Sequence, residues 1–447
     1  MKHQRVFILL LLLLAAMAAC SPGHVGGNEI AFLRDGQLWT IDPDGSNAFE
    51  IAGNNPAVIG YGWSPTHQIL TFRTLDSDFA KTSAAKHLTG NPVTELPGDL
   101  PSTLNTIGID GGSRIPIILS SPDVQHSNAW WNTTGNRLIY REEITASSHS
   151  PGTGLWWVSQ NDQPVGIARK LLPTTFSIPS IAPDNSLAIG NSVHGLFTTT
   201  LSGSNLQYLV QGVLPGHPLL ATLERVLWQP AHQQPRILYA IAPSPVQAGS
   251  FGTTPPQVQL VLRDMHGHVT SVATCACTQF AWSPDGNHIV YSTGSSYTIF
   301  NLKDSSSFSI SGESGAIPYW SPDSQFLLLD SLHSLTLIQV ASKQQQVLLS
   351  AGDKFAGGAL RQGYTTGVNA RLQPMSNSPW AADSRHFLFL TRGRLLWQGK
   401  SLSPGKGLYT ATIDNAGRPQ GIPTVVDTGN DTQAGWTYEN PDTSFLF

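Results

Sequence analysis

A turn of the form Trp-Ser-Pro-Asp-(Gly or Ser), followed by a few polar residues and a short apolar run, keeps returning along this chain. Its clearest copies are WSPDGNHIVYST from Trp282 and WSPDSQFLLLD from Trp320. Further copies begin at Trp63, Trp131, Ile181, Trp228, Trp380 and Trp436. Spacings run from 38 to 68 residues, which sets a unit of about 40 residues with insertions. Within a unit the pattern is strand-like. An apolar run ending at the Trp makes strand a, and the tight turn follows, with Pro fixing φ and Asp capping through its side chain. Runs such as IVYST, FLLLD and FLFLT make strand b. Segments such as GLWWVSQ, GLFTTTL and GLYTATID make strand c, and a polar turn leads into a short strand d. Four short antiparallel strands per repeat is the signature of a β-propeller blade.

Composition agrees. The chain has 447 residues with 42 Gly and 31 Pro, and only 12% are charged. That fits an all-β exported protein and excludes a coiled coil or a disordered chain. No Lys/Arg block is present, so nucleic acid is disfavoured as a partner. At the N-terminus Lys2 and Arg5 precede an apolar run over 6–19, too short for a membrane span of roughly 17–25 residues and suited to an export signal. The ending Met17-Ala18-Ala19-Cys20 resembles the bacterial lipobox, with Met17 standing where Leu is usual. That resemblance implies cleavage after 1–19 and lipidation of Cys20. The Gly-rich stretch over 20–28 then reads as a tether, and 29–447 as one folded domain.

The repeat itself resembles the WD40-like propeller repeat of TolB and its relatives. The WSPDG turn, the strand after it, and IAFLRDGQLWTIDPDGSN over 30–47 carry the likeness. The resemblance spans nearly the whole mature chain and implies a β-propeller fold. It departs at Ile181, which replaces the Trp, and at the copies from Trp63, Trp131 and Trp228, which lack the Asp-Gly. The first segment starts at strand b and the last supplies Trp436. The two ends are therefore expected to share one blade and remove exposed edges. Eight blades are expected, seven if the copy at Ile181 or the short C-terminus fails to form one.

Strand parity places the insertions. In an antiparallel blade the a–b and c–d turns share one face, and the b–c and d–a connections share the other. Long segments at 75–102, 143–153, 242–256 and 392–406 fall between b and c, and those at 211–224 and 351–377 between d and a. Long loops in compact domains concentrate function. The candidate binding loop is 351–377, which carries Lys354, Phe355, Arg361, Tyr364 and Arg371 among glycines, a mix suited to anionic or polar groups. The opposite, short-turn face is expected to be quiet.

Chemistry is sparse. The nearest string to a Gly-x-Ser-x-Gly elbow is Gly312-Glu313-Ser314-Gly315, one residue short and with no α/β region after it. His266, His268, Cys275 and Cys277 look like metal ligands, but seven residues separate the pairs, which places them near opposite faces. Two buried thiols are expected instead, since a disulfide over one intervening residue would be strained. The Trp set reads as wedges between blades, and Asp285 and Asp323 as turn caps. The resulting expectation is a lipid-anchored extracytoplasmic β-propeller, non-enzymatic and without cofactor or metal. It would bind a protein, peptide or glycan at the cell envelope through the loop-rich face. The rival reading is a hydrolase or lyase acting in the channel.

Overall fold

The computed structural model describes residues 29–436, apart from 83–99, 145–153, 160–167, 174–179, 212–225, 242–256, 351–370 and stretches of one to four residues elsewhere. Cys20, the signal segment, the tether, and Lys354, Phe355, Arg361 and Tyr364 lie outside the described residues. The regular structure of the described residues is strand, apart from one 3-10 turn at Phe79–Lys81. No helix among the described residues is long and apolar enough to cross a membrane.

Among the described residues the strands group into eight four-stranded antiparallel units, each in the order a–b–c–d. Unit 2 is Val58–Trp63, Ile69–Leu75, Leu100–Gly108 and Ile115–Ile118, and unit 3 begins at Trp130–Trp131 and Leu138–Ile144. Unit 5 runs from Val226–Trp228 and Ile237–Ile241 to Val258–Arg263 and Val269–Cys275. Unit 6 is Gln279–Trp282, His288–Thr293, Ser296–Asn301 and Ser307–Ser311. Unit 7 is Ile317–Trp320, Phe326–Asp330, Ser334–Gln339 and Gln344–Ser350. Unit 8 is Arg371–Gln373, His386–Arg392, Gly407–Thr412 and Thr424–Asp427. The degenerate copy forms unit 4, where Ile181 pairs with Leu187. The two ends share unit 1: Ile30–Arg34 pairs with Asp431–Trp436, Ile30 opposite Trp436 and Arg34 opposite Asp431.

Two connections leave the simple pattern. A strand at Val124–His126, in the d–a connection after unit 2, pairs with Leu100–Pro101 of unit 2 and with Glu142–Ile144 of unit 3, fusing the two sheets. The b–c insertion of unit 8 forms a hairpin, Leu396–Trp397 with Lys400–Ser401, that pairs with the outer strand of unit 7 at Leu349 and Ser350. It covers part of an edge that would otherwise be open to another chain.

Apolar surface is buried between units. One continuous core joins units 7, 8 and 1 through Ile317, Phe326, Leu337, Trp380, Phe387, Phe32 and Trp436. The repeated Trp is a wedge, and in three units it adds a directed bond. Trp282 donates from Nε1 to the Leu227 carbonyl, Trp380 to that of Tyr319 and Trp436 to that of Pro379. Each acceptor is the residue just before the Trp of the preceding unit. A buried indole N–H usually needs such a partner, so the bond fixes the stagger of neighbouring units as well as their packing. The Trp63, Trp131 and Trp228 rings are also buried.

Candidate binding faces

The strand bounds place 76–99 and 393–406 between strands b and c, and 351–370 between d and a, all on one face. Arg371 is not part of the long connection. It opens strand a of unit 8, directly opposite Arg392 on strand b. An apolar run ending at the Trp suggested that strand a lies nearer Trp380. In the structure it occupies Arg371–Gln373, and Trp380 makes only an isolated bridge to Phe387. Two guanidinium groups in register repel each other. Burial lowers the Arg392 pKa and the neighbouring Arg371 charge lowers it further. The Arg392 Nε donates to Gln373 Oε1 at 2.9 Å.

Beside this pair, the same face gathers acids. Asp330, at the end of strand b in unit 7, is fully enclosed, and its pKa is pushed up to about 7 by burial, offset in part by a bond from the Met375 N–H. Its Oδ1 has no hydrogen-bond partner. One residue on, Ser331 Oγ donates to Glu313 Oε2 at 2.6 Å, and the other Glu313 oxygen meets His333 Nδ1. Glu313 comes from the Gly312–Gly315 string, where it ties the d–a turn of unit 6 to the b–c turn of unit 7. Further round, Arg34 is held by Asp427 and Asp431. Burial raises the Asp431 pKa, and the Arg34 bond and charge oppose that rise. These residues close the joint between the two chain ends.

Between units 2 and 3 the seam is polar. Arg73 is buried and donates to Asn128 Oδ1 at 2.8 Å and to the His126 carbonyl at 2.6 Å. His126, fully buried, contacts the Ser102 carbonyl through Nδ1 and Glu142 through Nε2 at 3.4 Å. Gly60 fits closely here: a Cβ would lie 2.6 Å from Asn128 Oδ1 and would displace that side chain from Arg73. No periodicity in the sequence marks this cluster.

The cysteines correct an expectation. Cys275 and Cys277 form a disulfide with a Cα separation of 5.1 Å, inside the ordinary range, because the chain bends as it leaves strand d of unit 5. His268 Nδ1 contacts Asp264 Oδ2 at 2.9 Å within the c–d turn. Among the described residues no group of three or more His, Cys, Asp or Glu side chains is placed to hold a metal ion.

The short-turn face joins neighbouring units. Asp285 accepts from the Asn287 N–H at 3.0 Å and Asp323 from the Gln325 N–H at 3.0 Å, so both cap their turns. Their own N–H groups donate across to the next unit, Asp285 to Ser324 Oγ and Asp323 to Ser384 Oγ. Ser324 and Ser384 sit at φ near 60°, where Gly286 stands in unit 6. A side chain in that conformation is strained, and here its hydroxyl links neighbouring units. The turn thus carries a bond between units that its sequence pattern does not reveal.

No family model matches this chain, and no curated protein matches it. Solved structures similar to it include one described as a eukaryotic initiation factor, at 11% identity and TM-score 0.49, covering 93% of this chain and 99% of the other. An oligogalacturonate lyase in complex with manganese is similar at 12% identity and TM-score 0.45, covering 66% and 79%. A putative TolB from Agrobacterium tumefaciens is similar at 13% identity and TM-score 0.32, covering 56% and 77%. Similarity at this level carries no activity, ligand or partner over to this chain.

Proposed function

We propose that the eight units close into a β-propeller, held at the cell envelope by lipidated Cys20, that binds a protein, peptide or glycan partner carrying anionic groups. The binding surface is the face of the b–c and d–a connections. The observation that carries this reading is the in-register pair Arg371 and Arg392, next to the longest d–a connection. Like charges in register weaken a sheet, and an incoming carboxylate or phosphate converts that repulsion into paired, charge-assisted bonds. The test is retention on a heparin matrix. Arg371→Gln with Arg392→Gln should elute at lower salt than the wild type, and unchanged elution would remove the assignment.

A second reading, a hydrolase or lyase working at the channel, is favoured by the buried acid Asp330 beside the Glu313–His333 pair. A group with a pKa near 7 is suited to acid–base work. Hydrolysis or elimination measured over a panel of envelope glycans, and lost in Asp330→Asn while the fold is kept, would favour it over binding.

A further inference from the structure

The seams between units repeat the same positions on the short-turn face, which allows two of them to be compared residue by residue. Between units 7 and 8, the start of strand b contributes Phe326. Unit 8 contributes Arg385, which follows its turn, and the Asp414–Arg418 connection between strands c and d. That seam is filled and neutralised. Phe326 stacks on Trp380, and Gly417 lies so close that a Cβ would meet the Phe326 ring at 2.9 Å. Arg385 lies over the same ring and bonds Asp323 at 2.7 Å and Asn415 at 2.8 Å.

At the corresponding place between units 5 and 6 the residues are Arg236, Asn287, Asn301, Leu302 and Lys303, joined by His288. They line an open pocket of about 360 Å³, within the range of small-ligand sites. By register Arg236 takes the place of Phe326, and Lys303 takes the place of Asp414 in the connection between strands c and d. Neither Arg236 nor Lys303 meets a carboxylate within ion-pair distance among the described residues. The nearby acids are turned into their own loops. Asp285 takes Ser283 and Asn287, Asp304 takes the Ser306 N–H, and Asp264 takes His266 and His268. Arg236 is held in place from behind. Its Nε donates at 3.2 Å to Gln229 Oε1, and Gln229, buried, donates at 2.7 Å to the Gly286 carbonyl of the next unit. The His288 ring packs 6.0 Å from that of Trp320, and its Nδ1 is buried with no hydrogen-bond partner. In unit 8 the matching His386 spends its Nδ1 on Asp383.

We infer that this open seam is a binding site for a small organic oxyanion, a carboxylate or a phosphate. The fixed Arg236 guanidinium engages it as a fork, Lys303 closes over it, and Leu302 supplies the apolar wall. This is separate from partner binding on the opposite face.

The experiment is calorimetric titration of the full chain with inorganic phosphate and, separately, with malonate. One equivalent of at least one anion should bind, and which one does so assigns the class. Arg236→Gln should weaken binding at least tenfold. Lys303→Gln, at an exposed position that leaves the fold intact, should weaken it about threefold, and Arg371→Gln should leave it unchanged. Failure of both anions to bind, or undiminished binding by Lys303→Gln and Arg236→Gln, would overturn the assignment.

Discussion

Units 7 and 8 meet across rings, with Trp380 fully buried against Phe326 and Phe387. Units 2 and 3 meet across hydrogen bonds as well, with Arg73, His126 and Asn128 in addition to the buried Trp131. The first seam gains from buried area, which is non-directional and tolerates repetition with any ring of the right size. The second depends on direction, because each polar group removed from water must find its partner. It occurs where the strand Val124–His126 crosses from one sheet to the next, a place where register matters most. A repeat protein can thus use generic packing for most of its seams and keep a directional one for an irregular junction.

Four substitutions bear on that contrast. Trp380→Ala should be the most damaging, losing about 4 kcal/mol from ring burial and the cavity left behind, read as a lower denaturation midpoint. Arg73→Leu should cost about 3 kcal/mol by stranding the Asn128 and His126 acceptors. Unlike Trp380→Ala, its effect should be local, with hydrogen exchange accelerated over 124–128. A global loss of protection would show that both seams work alike.

Asp330 is the polar exception close to the apolar seam. Its folded pKa, about 7, lies above the ordinary carboxyl value of 3.8. Between those values the folded state keeps a proton that the unfolded state has lost, so this group lowers stability as pH rises through that window. Asp330→Asn should therefore stabilise by on the order of 2 kcal/mol at pH 8 and by little at pH 4. A pH-independent effect would mean that the carboxyl is paired. Last, Ser384→Gly relieves a positive φ but removes the bond to the Asp323 N–H. These oppose each other, and the net change in melting midpoint should correspond to less than about 1 kcal/mol.

The unit and its strands were legible because strand periodicity and turn chemistry are local. The pattern from Trp282 and Trp320 specifies them, and even Ile181 keeps enough of it to form a sheet. What joins the units was not legible. The Ser324 and Ser384 hydroxyls act on partners 39 and 61 positions away, and Arg73 acts on residues more than fifty positions downstream. No local pattern encodes those pairings. The strand at Arg371 is not legible, because three residues carry too little periodicity to register. The Arg236 pocket is not legible from loop length, because short turns build it. Its signal is present in the sequence, as cations at the repeat positions of Phe326 and Asp414: Arg236 and Lys303.

The most direct test of the proposed binding face is capture from cell-envelope extract by the full chain and by a form in which 353–368 is replaced with a short Gly-Ser linker. The shortened form should keep the wild-type melting midpoint and lose the partners that the wild type retains. Capture of the same partners in the same amounts would contradict a binding face built from these connections.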